Sequence, residues 1–387
     1  MHLERYPMPP VYLDYNATTP LLPEVAGAMR PFLSDFFGNP SSTHWFGLQA
    51  RQAIENARGH IASLLGCDAD EIIFTSGGSE SNNYAIKGTA FAREKQGKHL
   101  ITSRIEHPAV TEVCAYLKKW GYETTYLPVS HQGIVDVQAL EKAIRPDTVL
   151  ITIMHANNEI GSIQPLAQIA QIAAAKGVIF HSDGAQAVGK IPTPVRELGV
   201  DLYSVAGHKL YAPKGIGVLY IKRGTVLEKQ IHGASHEHNR RAGTENTLEI
   251  AGLGKACEIA RRDLKTTQEH LRAMRDRLLA GLRQELSGVI EWRLNGDPEK
   301  GLPNTASVSF AGIEANKLLS EIEEHVAVSA GAACHSDRVD LSATLQALQV
   351  PLSYAMGTIR FSTGKPTTSD EIDRVVQVVT SAIGKLR

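Results

Sequence analysis

Short, largely apolar strands recur along the first two thirds of the chain, and helical stretches separate most of them. Their sequences are EIIFT, HLITS, TVLIT, VIFHS and DLYSV, which begin at residues 71, 99, 148, 178 and 201. They are rich in β-branched residues, which is typical of parallel strands that are covered by helices on both faces. The alternation therefore predicts an α/β fold with a large, mostly parallel sheet.

Polar and small residues follow these strands at the point where each strand ends. In sheets of this kind, ligands bind beyond the carboxyl ends of the strands. The residues found there are Gly78, Ser79, His107, Asn158, Asp183, Gln186, His208 and Lys209. We therefore expect these residues to converge on one binding site.

Lys209 follows the strand that begins at Asp201, and Gly207 beside it allows another molecule to approach the backbone closely. A lysine at such a strand end can hold a carbonyl ligand as a Schiff base, because burial and nearby cations free its amine. The alternative is a surface lysine beside a hairpin. The turn at Gly78 and Ser79 opens a helix whose free N–H groups would bind a phosphate, although such turns also occur without a ligand.

A cofactor that carries a phosphate, an aldehyde and a pyridine ring would use every one of these groups. Asp183 would pair with the pyridinium nitrogen and make the ring an electron sink, and His107 would stack on the ring and move protons. Gln186 and Asn158 would bond the ring oxygen, and Arg360 would bind a substrate carboxylate. Each residue alone also has a structural interpretation, such as a buried ion pair or a helix cap. Their occurrence at successive strand ends favours a site.

The last third of the chain has a different pattern. A charged helical stretch from about residue 251 to 286 leads to shorter strands and helices, including VAVSAGAACHSD, which places Cys334 in a loop of small residues. A length of 387 residues suggests about two domains. We predict a large domain at 15–255 and a small α+β domain, formed by 1–14 and 256–387, that carries the Cys334 loop.

Charge and cysteine usage limit the classes of function. The formal net charge is -1, so no basic excess indicates binding to nucleic acid or to an anionic membrane. No apolar run approaches the roughly 20 residues of a membrane span, and the N-terminus MHLERYPMPP has no apolar signal-peptide core. The four cysteines are widely separated, which indicates neither a metal site nor a disulfide framework. A reducing cytoplasm fits this pattern.

The motifs and their order resemble the class-V aminotransferase group of pyridoxal-phosphate enzymes, and among them the cysteine desulfurases. The matching stretches, from residue 12 to about 364, are YLDYNATTP, FGNPSS, FTSGGSESNN, IEHPAV, IMHANNEIG, HSDGAQAVGK, GHKLYAPKGIGVLY, RAGTENT, SAGAACHS and IRFSTG. The resemblance implies a type I fold, similar to that of aspartate aminotransferase, with pyridoxal 5'-phosphate as cofactor. It implies conversion of L-cysteine to L-alanine, with the sulfur passed through an enzyme persulfide to iron–sulfur clusters, other thio-cofactors or tRNA. A sulfur-acceptor or scaffold protein is then the expected partner.

The resemblance also implies roles for individual residues. Lys209 corresponds to the lysine that bonds the cofactor, and Cys334 to the cysteine that attacks the substrate sulfur. Thr244 matches a threonine that reaches the phosphate from the other subunit, so a homodimer is implied. Arg360 and Asn158 match residues that contact the substrate. The other positions that match cofactor contacts are Gly78, Ser79, His107, Asp183, Gln186 and His208, of which His107 also corresponds to a catalytic proton shuttle.

Two features differ from the cysteine desulfurase pattern. The family usually has serine or threonine three residues before the lysine, where this chain has Ala206, so one phosphate hydrogen bond is missing or comes from elsewhere. The loop HGASHE is less rich in glycine than usual. Ala206, GAACHSD and RAGTENT also resemble the selenocysteine lyases, which release selenium from L-selenocysteine. An aminotransferase, which would not need Cys334, and a non-enzymatic relative are the remaining alternatives.

Overall fold

The computed structural model describes residues 9–297, 299–335 and 338–387, and the side chains of 332–340 lie outside that description. The strands are β1 (Val11–Tyr12), β2 (Ile72–Thr75), β3 (His99–Ser103), β4 (Glu123–Leu127), β5 (Thr148–Thr152), β6 (Ile179–Asp183), β7 (Leu202–Ala206), β8 (Gly217–Ile221), β9 (Trp292–Asn295), β10 (Thr305–Phe310), β11 (Val326–Ala327), β12 (Ser329–Ala330), β13 (Ala332–His335), β14 (Arg338–Leu341) and β15 (Thr358–Ser362). The helices are α1 (Pro23–Met29), α2 (Pro31–Ser34), α3 (Trp45–Leu65), α4 (Gly78–Ala92), α5 (Pro108–Lys118), α6 (Val137–Ala143), α7 (Leu166–Ala175), α8 (Val195–Leu198), α9 (Thr247–Glu285), α10 (Ala315–Ile322), α11 (Ala343–Ala347), α12 (Leu352–Ala355) and α13 (Ser369–Leu386). Short 3-10 turns occupy Ala69–Glu71, Gly207–Lys209 and Glu237–Asn239.

A seven-stranded sheet lies at the centre of the larger part of the molecule, with the strand order β2-β8-β7-β6-β5-β3-β4. β8 runs antiparallel to both of its neighbours, and the other neighbouring strands pair in parallel. Along β2, Ile72 and Phe74 pack into one hydrophobic cluster and Ile73 packs into another, so both faces of the sheet are covered. The predicted large, mostly parallel sheet is confirmed.

The carboxyl ends of the parallel strands bring distant parts of the chain to one edge of this sheet. After β2 the chain enters α4 at Gly78, and after β3 it reaches His107, the N-cap of α5. β6 ends at Asp183, and the turn after β7 ends at Lys209. This topology positions the site described below.

A four-stranded antiparallel sheet, in the order β12-β15-β10-β9, forms the smaller part of the molecule. β1 pairs with β11, so Val11 and Leu13 join the smaller hydrophobic core although they begin the chain. α9 is 39 residues long and contributes to both cores, to the larger one as far as Ala260 and to the smaller one from Met274. The division at residue 255 stays a prediction.

Local chemistry sets two of the helix boundaries. Pro31 begins a helix of its own directly after α1, because proline has no N–H with which to continue the hydrogen bonds of α1. The N-cap of α3 is His44, whose ring nitrogen accepts the capping bond. In the described ranges, no helix has both the length and the apolar character needed to cross a bilayer.

Candidate active site

One cleft of about 730 Å³ opens at the carboxyl edge of the large sheet, and β15 of the small sheet contributes to its wall. The predicted site residues that line it are Gly78, Ser79, His107, Asn158, Asp183, Gln186, His208, Lys209 and Arg360. The structure thus brings together residues that are separated by up to 282 positions in the sequence, as 360 minus 78 gives.

The Lys209 amine is held by backbone oxygens at the wall of the cleft. Its Nζ donates to the carbonyl oxygens of Asn16 at 2.6 Å and Ala17 at 2.7 Å. Burial and then the nearby Arg360 guanidinium lower the pKa of Lys209 to about 8, against the opposing pull of Asp183 and Asp14. A sizeable fraction of the amine is therefore neutral, and nucleophilic, near neutral pH.

The carboxylate of Asp183 is buried and accepts two hydrogen bonds. Asn82 Nδ2 donates to Asp183 Oδ2 at 2.7 Å, and the backbone N–H of Ala185 donates to Oδ1 at 2.9 Å. Sequence reasoning did not identify Asn82. The available signal was its position one helical turn after Gly78, which places it on the same side of α4 as the start of the helix.

The start of α4 forms a cradle of backbone N–H groups. Gly78 and Ser79 lie in the first turn, where N–H groups have no partner within the helix. A Cβ on Gly217 would lie 2.7 Å from Gly77 Cα, so only glycine at 217 lets β8 approach this turn. The neighbouring Ala206 has no hydroxyl, but Thr18 and Ser76 also line the cleft and each carries one.

His107 and His208 present their imidazole rings to the cleft. Nδ1 of His107 accepts the N–H of Ala109 at 3.0 Å, which leaves Nε2 as the ring's outward nitrogen. Burial, and then Lys209, lower the pKa of His208 to about 4, so this ring is neutral near neutral pH.

Glu106, which precedes His107, hydrogen-bonds to the end of β3 and to the segment just after β5. Sequence reasoning did not identify this residue either. Ser103 Oγ donates to Glu106 Oε1 at 2.6 Å, and Met154 N donates to both carboxyl oxygens at 3.0 and 3.1 Å. Burial raises the pKa of Glu106 to about 8. The side chain thereby fixes the turn from which His107 enters the cleft.

Arg360 reaches the cleft from β15 and is anchored by the small sheet and the N-terminal segment. It donates through Nη2 to Asp14 Oδ1 at 2.7 Å and to Ser329 Oγ at 2.9 Å, and through Nη1 to the carbonyl oxygen of Asn158 at 3.2 Å. Among the described residues, no partner meets its Nε. The guanidinium is therefore oriented from one side, and Nη1, which carries a second N–H, keeps a donor for an anionic group.

The two other predicted site residues are Thr244 and Cys334. Thr244 is exposed, just before α9, and is not among the lining residues. The backbone of Cys334 lies in β13 and pairs with Val339 of β14, where the sequence predicts a loop. The expectation of a loop fails because composition alone does not reveal the antiparallel pairing of these two segments. The Cys334 side chain lies outside the described residues.

The three other cysteines are unsuited to act as nucleophiles. Cys67, Cys114 and Cys257 are free, and burial raises the pKa of each to about 12. They stay protonated near neutral pH, and a thiol is a poor nucleophile.

The donor set in the cleft fits pyridoxal phosphate. Lys209 would bond its aldehyde, the first-turn N–H groups of α4 would hold its phosphate, and the Asp183 carboxylate would pair with its protonated ring nitrogen. Gly77, with φ of 148°, takes a backbone conformation that favours glycine and leaves the cradle open.

Comparisons with known proteins agree with this geometry. Residues 11–375 match the family model described as aminotransferase class V. The chain is 50% identical over 378 residues to "Cysteine desulfurase IscS" of Dictyoglomus turgidum, which covers 97% of this chain and 95% of that protein. It is 46% identical over 383 residues to the protein of the same name from Salmonella arizonae, which covers 98% of this chain and 94% of that protein. A solved structure described as "NIFS-LIKE PROTEIN" superposes with a TM-score of 0.91 at 36% identity, covering 98% of this chain and 100% of that chain.

Proposed function

The chain belongs to the class-V aminotransferase family, and we propose that it is a pyridoxal-phosphate-dependent cysteine desulfurase that converts L-cysteine to L-alanine. Its near full-length relatives at 46% and 50% identity carry that name. The observation that carries the proposal is the convergence of Lys209, Asp183, His107 and Arg360 in one cleft.

The residues of the cleft divide the work of substrate binding and proton transfer. When bound, pyridoxal phosphate withdraws electrons from the substrate and so weakens its Cα–H and Cβ–S bonds. Arg360 binds the substrate carboxylate through its guanidinium. Lys209 takes the α-proton with its amine, which the carbonyl oxygens of Asn16 and Ala17 orient, and His107 moves protons at its outward Nε2.

Cys334 receives the sulfur. Its thiolate attacks the sulfur of the substrate, an S–S bond forms, and the Cβ–S bond breaks with its electron pair left on the substrate carbon. Protonation of that carbon gives L-alanine, and Cys334 carries a persulfide.

The enzyme loaded with cofactor and given L-cysteine with a dithiol reductant is expected to release alanine and sulfide in equal amounts. The ratio follows because each turnover breaks one Cβ–S bond. Amino-acid analysis and a sulfide assay measure the two products, with cofactor-free protein as the control. Loss of the amino group from L-cysteine only when a keto acid is added would show transamination instead.

We further propose that two copies of the chain associate. Thr244 is exposed and away from the cleft of its own chain, which suits a residue that completes a partner's phosphate site. A cluster of exposed apolar side chains lies on the segment from 33 to 48, and its members are Leu33, Phe37, Trp45, Phe46 and Leu48. Exposed apolar patches of this kind mark interfaces, and the occupant that we propose is the same surface of a second copy.

Substituting Trp45 and Phe37 together with glutamate is expected to convert the dimer to a monomer, because the charges would be buried against apolar groups. Sedimentation velocity should show a mass falling from twice 42.0 kDa to 42.0 kDa. Leu352→Glu, at an apolar residue that is 57% exposed outside the cluster, is the matched control. A wild-type monomer, or a double variant that stays dimeric, would contradict the proposed interface.

A sulfur-acceptor or scaffold protein and a cytoplasmic location complete the proposal. The free thiols of Cys67, Cys114 and Cys257 fit a reducing compartment. Fractionation of the producing cells tests the location, and transfer of labelled sulfur from L-cysteine to a second protein tests the acceptor.

A further inference from the structure

Lys190 is a second lysine close to the reactive one, and it is buried behind the cleft wall. Its exposed fraction is 6%, and it lies with Lys209 around a small internal cavity rather than on the cleft surface. Among the described residues, no carboxylate lies within ion-pair distance of its amine. A lysine buried without an ion pair is costly to the fold, so its presence calls for a role in the site.

The Lys190 amine contacts two side-chain oxygens. It donates to Gln186 Oε1 at 2.7 Å and to Asn16 Oδ1 at 3.3 Å. Burial lowers the pKa of Lys190 well below its ordinary value, and then the charges of Lys209 and Arg360 lower it further. The amine keeps at least two N–H groups in either protonation state, so it serves as donor to both oxygens.

The orientation of the Asn16 side chain is set by other contacts. Its Nδ2 donates to Thr305 Oγ1 at 2.8 Å and to the carbonyl oxygen of Asn158 at 3.1 Å, and its Oδ1 accepts from Asn304 Nδ2 at 2.9 Å. Oδ1 therefore faces Lys190 as a fixed acceptor. Lys190 thus donates to the fixed Asn16 oxygen on one side and to Gln186 on the other.

Through Gln186 the same chain of hydrogen bonds reaches Lys209. Because Oε1 faces Lys190, the amide nitrogen of Gln186 faces the backbone oxygen of Asn16, to which it donates at 2.9 Å. That oxygen also accepts from Lys209 Nζ at 2.6 Å. The nitrogen has a second N–H, and Gln186 lines the cleft, so this N–H is available to a bound ligand.

We propose that Lys190 is a positioning residue that holds the Gln186 amide with its N–H toward the cofactor and steadies the Asn16 carbonyl that receives the Lys209 amine. The inference rests on the proposed function, since it assumes that pyridoxal phosphate occupies the cleft. Without Lys190, Gln186 Oε1 would be buried without a donor, and the amide would turn toward another partner.

The experiment measures the dissociation constant of pyridoxal phosphate by titrating the cofactor-free protein and following its fluorescence. Lys190→Met keeps the side-chain volume without the donor, and we expect affinity to fall about tenfold, as the loss of one well-oriented hydrogen bond does. The affinity of Gln186→Ala for the cofactor is expected to fall by a similar factor. The double variant should bind no more weakly than Gln186→Ala, because Lys190 acts through Gln186.

The controls separate positioning from a general loss of structure. Lys365→Met removes another lysine whose side chain is 19% exposed and that does not line the cleft, and its affinity should match wild type. Lys190→Gln restores a donor and should recover part of the affinity, which also covers the case in which Lys190→Met does not fold.

Four results would each be decisive against a proposal. Lys190→Met with wild-type affinity, or losses that multiply in the double variant, would overturn the positioning role. So would a failure of Lys190→Gln to recover any affinity. Absence of cofactor binding by wild type would instead overturn the proposed function. That result is distinguishable from the others because they are differences between the variants and a wild type that binds the cofactor.

Discussion

Replacing Lys209 with alanine is expected to slow alanine release from L-cysteine by about ten-thousandfold, since the change removes both the covalent anchor and the base. Among the described residues, Lys214 is the other lysine that lines the cleft, but it is exposed and lies five positions further along the chain. Lys214 is therefore not placed to replace the Lys209 amine, which the Asn16 and Ala17 carbonyls hold. The rate is measured as alanine formed under saturating cofactor.

The matched control is Lys222→Ala, because Lys222 lies outside the cleft and pairs with Asp201 at 3.1 Å. Its activity should equal that of wild type. A Lys209→Ala enzyme that keeps more than a few per cent of the wild-type rate would show that another group removes the α-proton.

The lowered pKa of Lys209 gives the same residue a second test, in the pH dependence of cofactor capture by the cofactor-free protein. Only the neutral amine attacks an aldehyde, so the capture rate should rise about tenfold per pH unit and level off near pH 8, where the pKa lies. An amine at the ordinary value of 10.5 would keep the rate rising through pH 9. A rate that still rises steeply above pH 9 would mean that the Lys209 amine is not perturbed as described.

Sequence reasoning succeeded where the chain topology alone decides position. Asp183 directly ends one strand and Lys209 closely follows another, and parallel strands bring their carboxyl ends to one edge. His107 follows the same rule, since it caps the helix after β3. For these residues, a correct assignment of strands was enough to predict that they converge.

Sequence reasoning failed where a role depends on a contact between distant side chains. Asp14, Asn16 and Lys190 lie in the matched stretches YLDYNATTP and HSDGAQAVGK, but those stretches do not reveal their partners. Asn16 contacts Lys190 across 174 positions of the sequence, and Asp14 contacts Arg360 across 346. Neither apolar periodicity nor turn residues report a hydrogen bond of this kind. Such partners become visible only when the strand ends and the small sheet are packed together.

The strand pairing at Cys334 shows a related difficulty. The segment SAGAACHS is rich in small residues, which favours a loop, yet the backbone of 332–335 pairs with 338–341 as β13 and β14. Pairing between two short strands depends on both partners, whereas composition describes each segment alone. The role of Cys334 therefore stays a proposal that needs a direct test.

Replacing Cys334 with alanine is expected to reduce alanine release from L-cysteine by about a thousandfold, because the nucleophile that takes the sulfur is removed. The persulfide should also disappear, seen as the loss of one added sulfur atom in the mass of the Cys334 peptide. Cys67→Ala is the control, since burial raises the pKa of that thiol to about 12 and its loss should leave the rate unchanged.

The same pair of enzymes, given L-selenocysteine, distinguishes the two activities that the sequence leaves open. A carbon–selenium bond is weaker than a carbon–sulfur bond, so selenium can leave without attack by a thiolate, whereas sulfur needs the nucleophile. If Cys334→Ala loses alanine release from L-cysteine and wild type uses L-cysteine well, Cys334 is the sulfur carrier of a desulfurase. If wild type strongly prefers L-selenocysteine and Cys334→Ala still releases alanine from L-selenocysteine, the enzyme is a selenocysteine lyase. Cys334 would then select between the two substrates, because only the reaction with L-cysteine needs its thiolate.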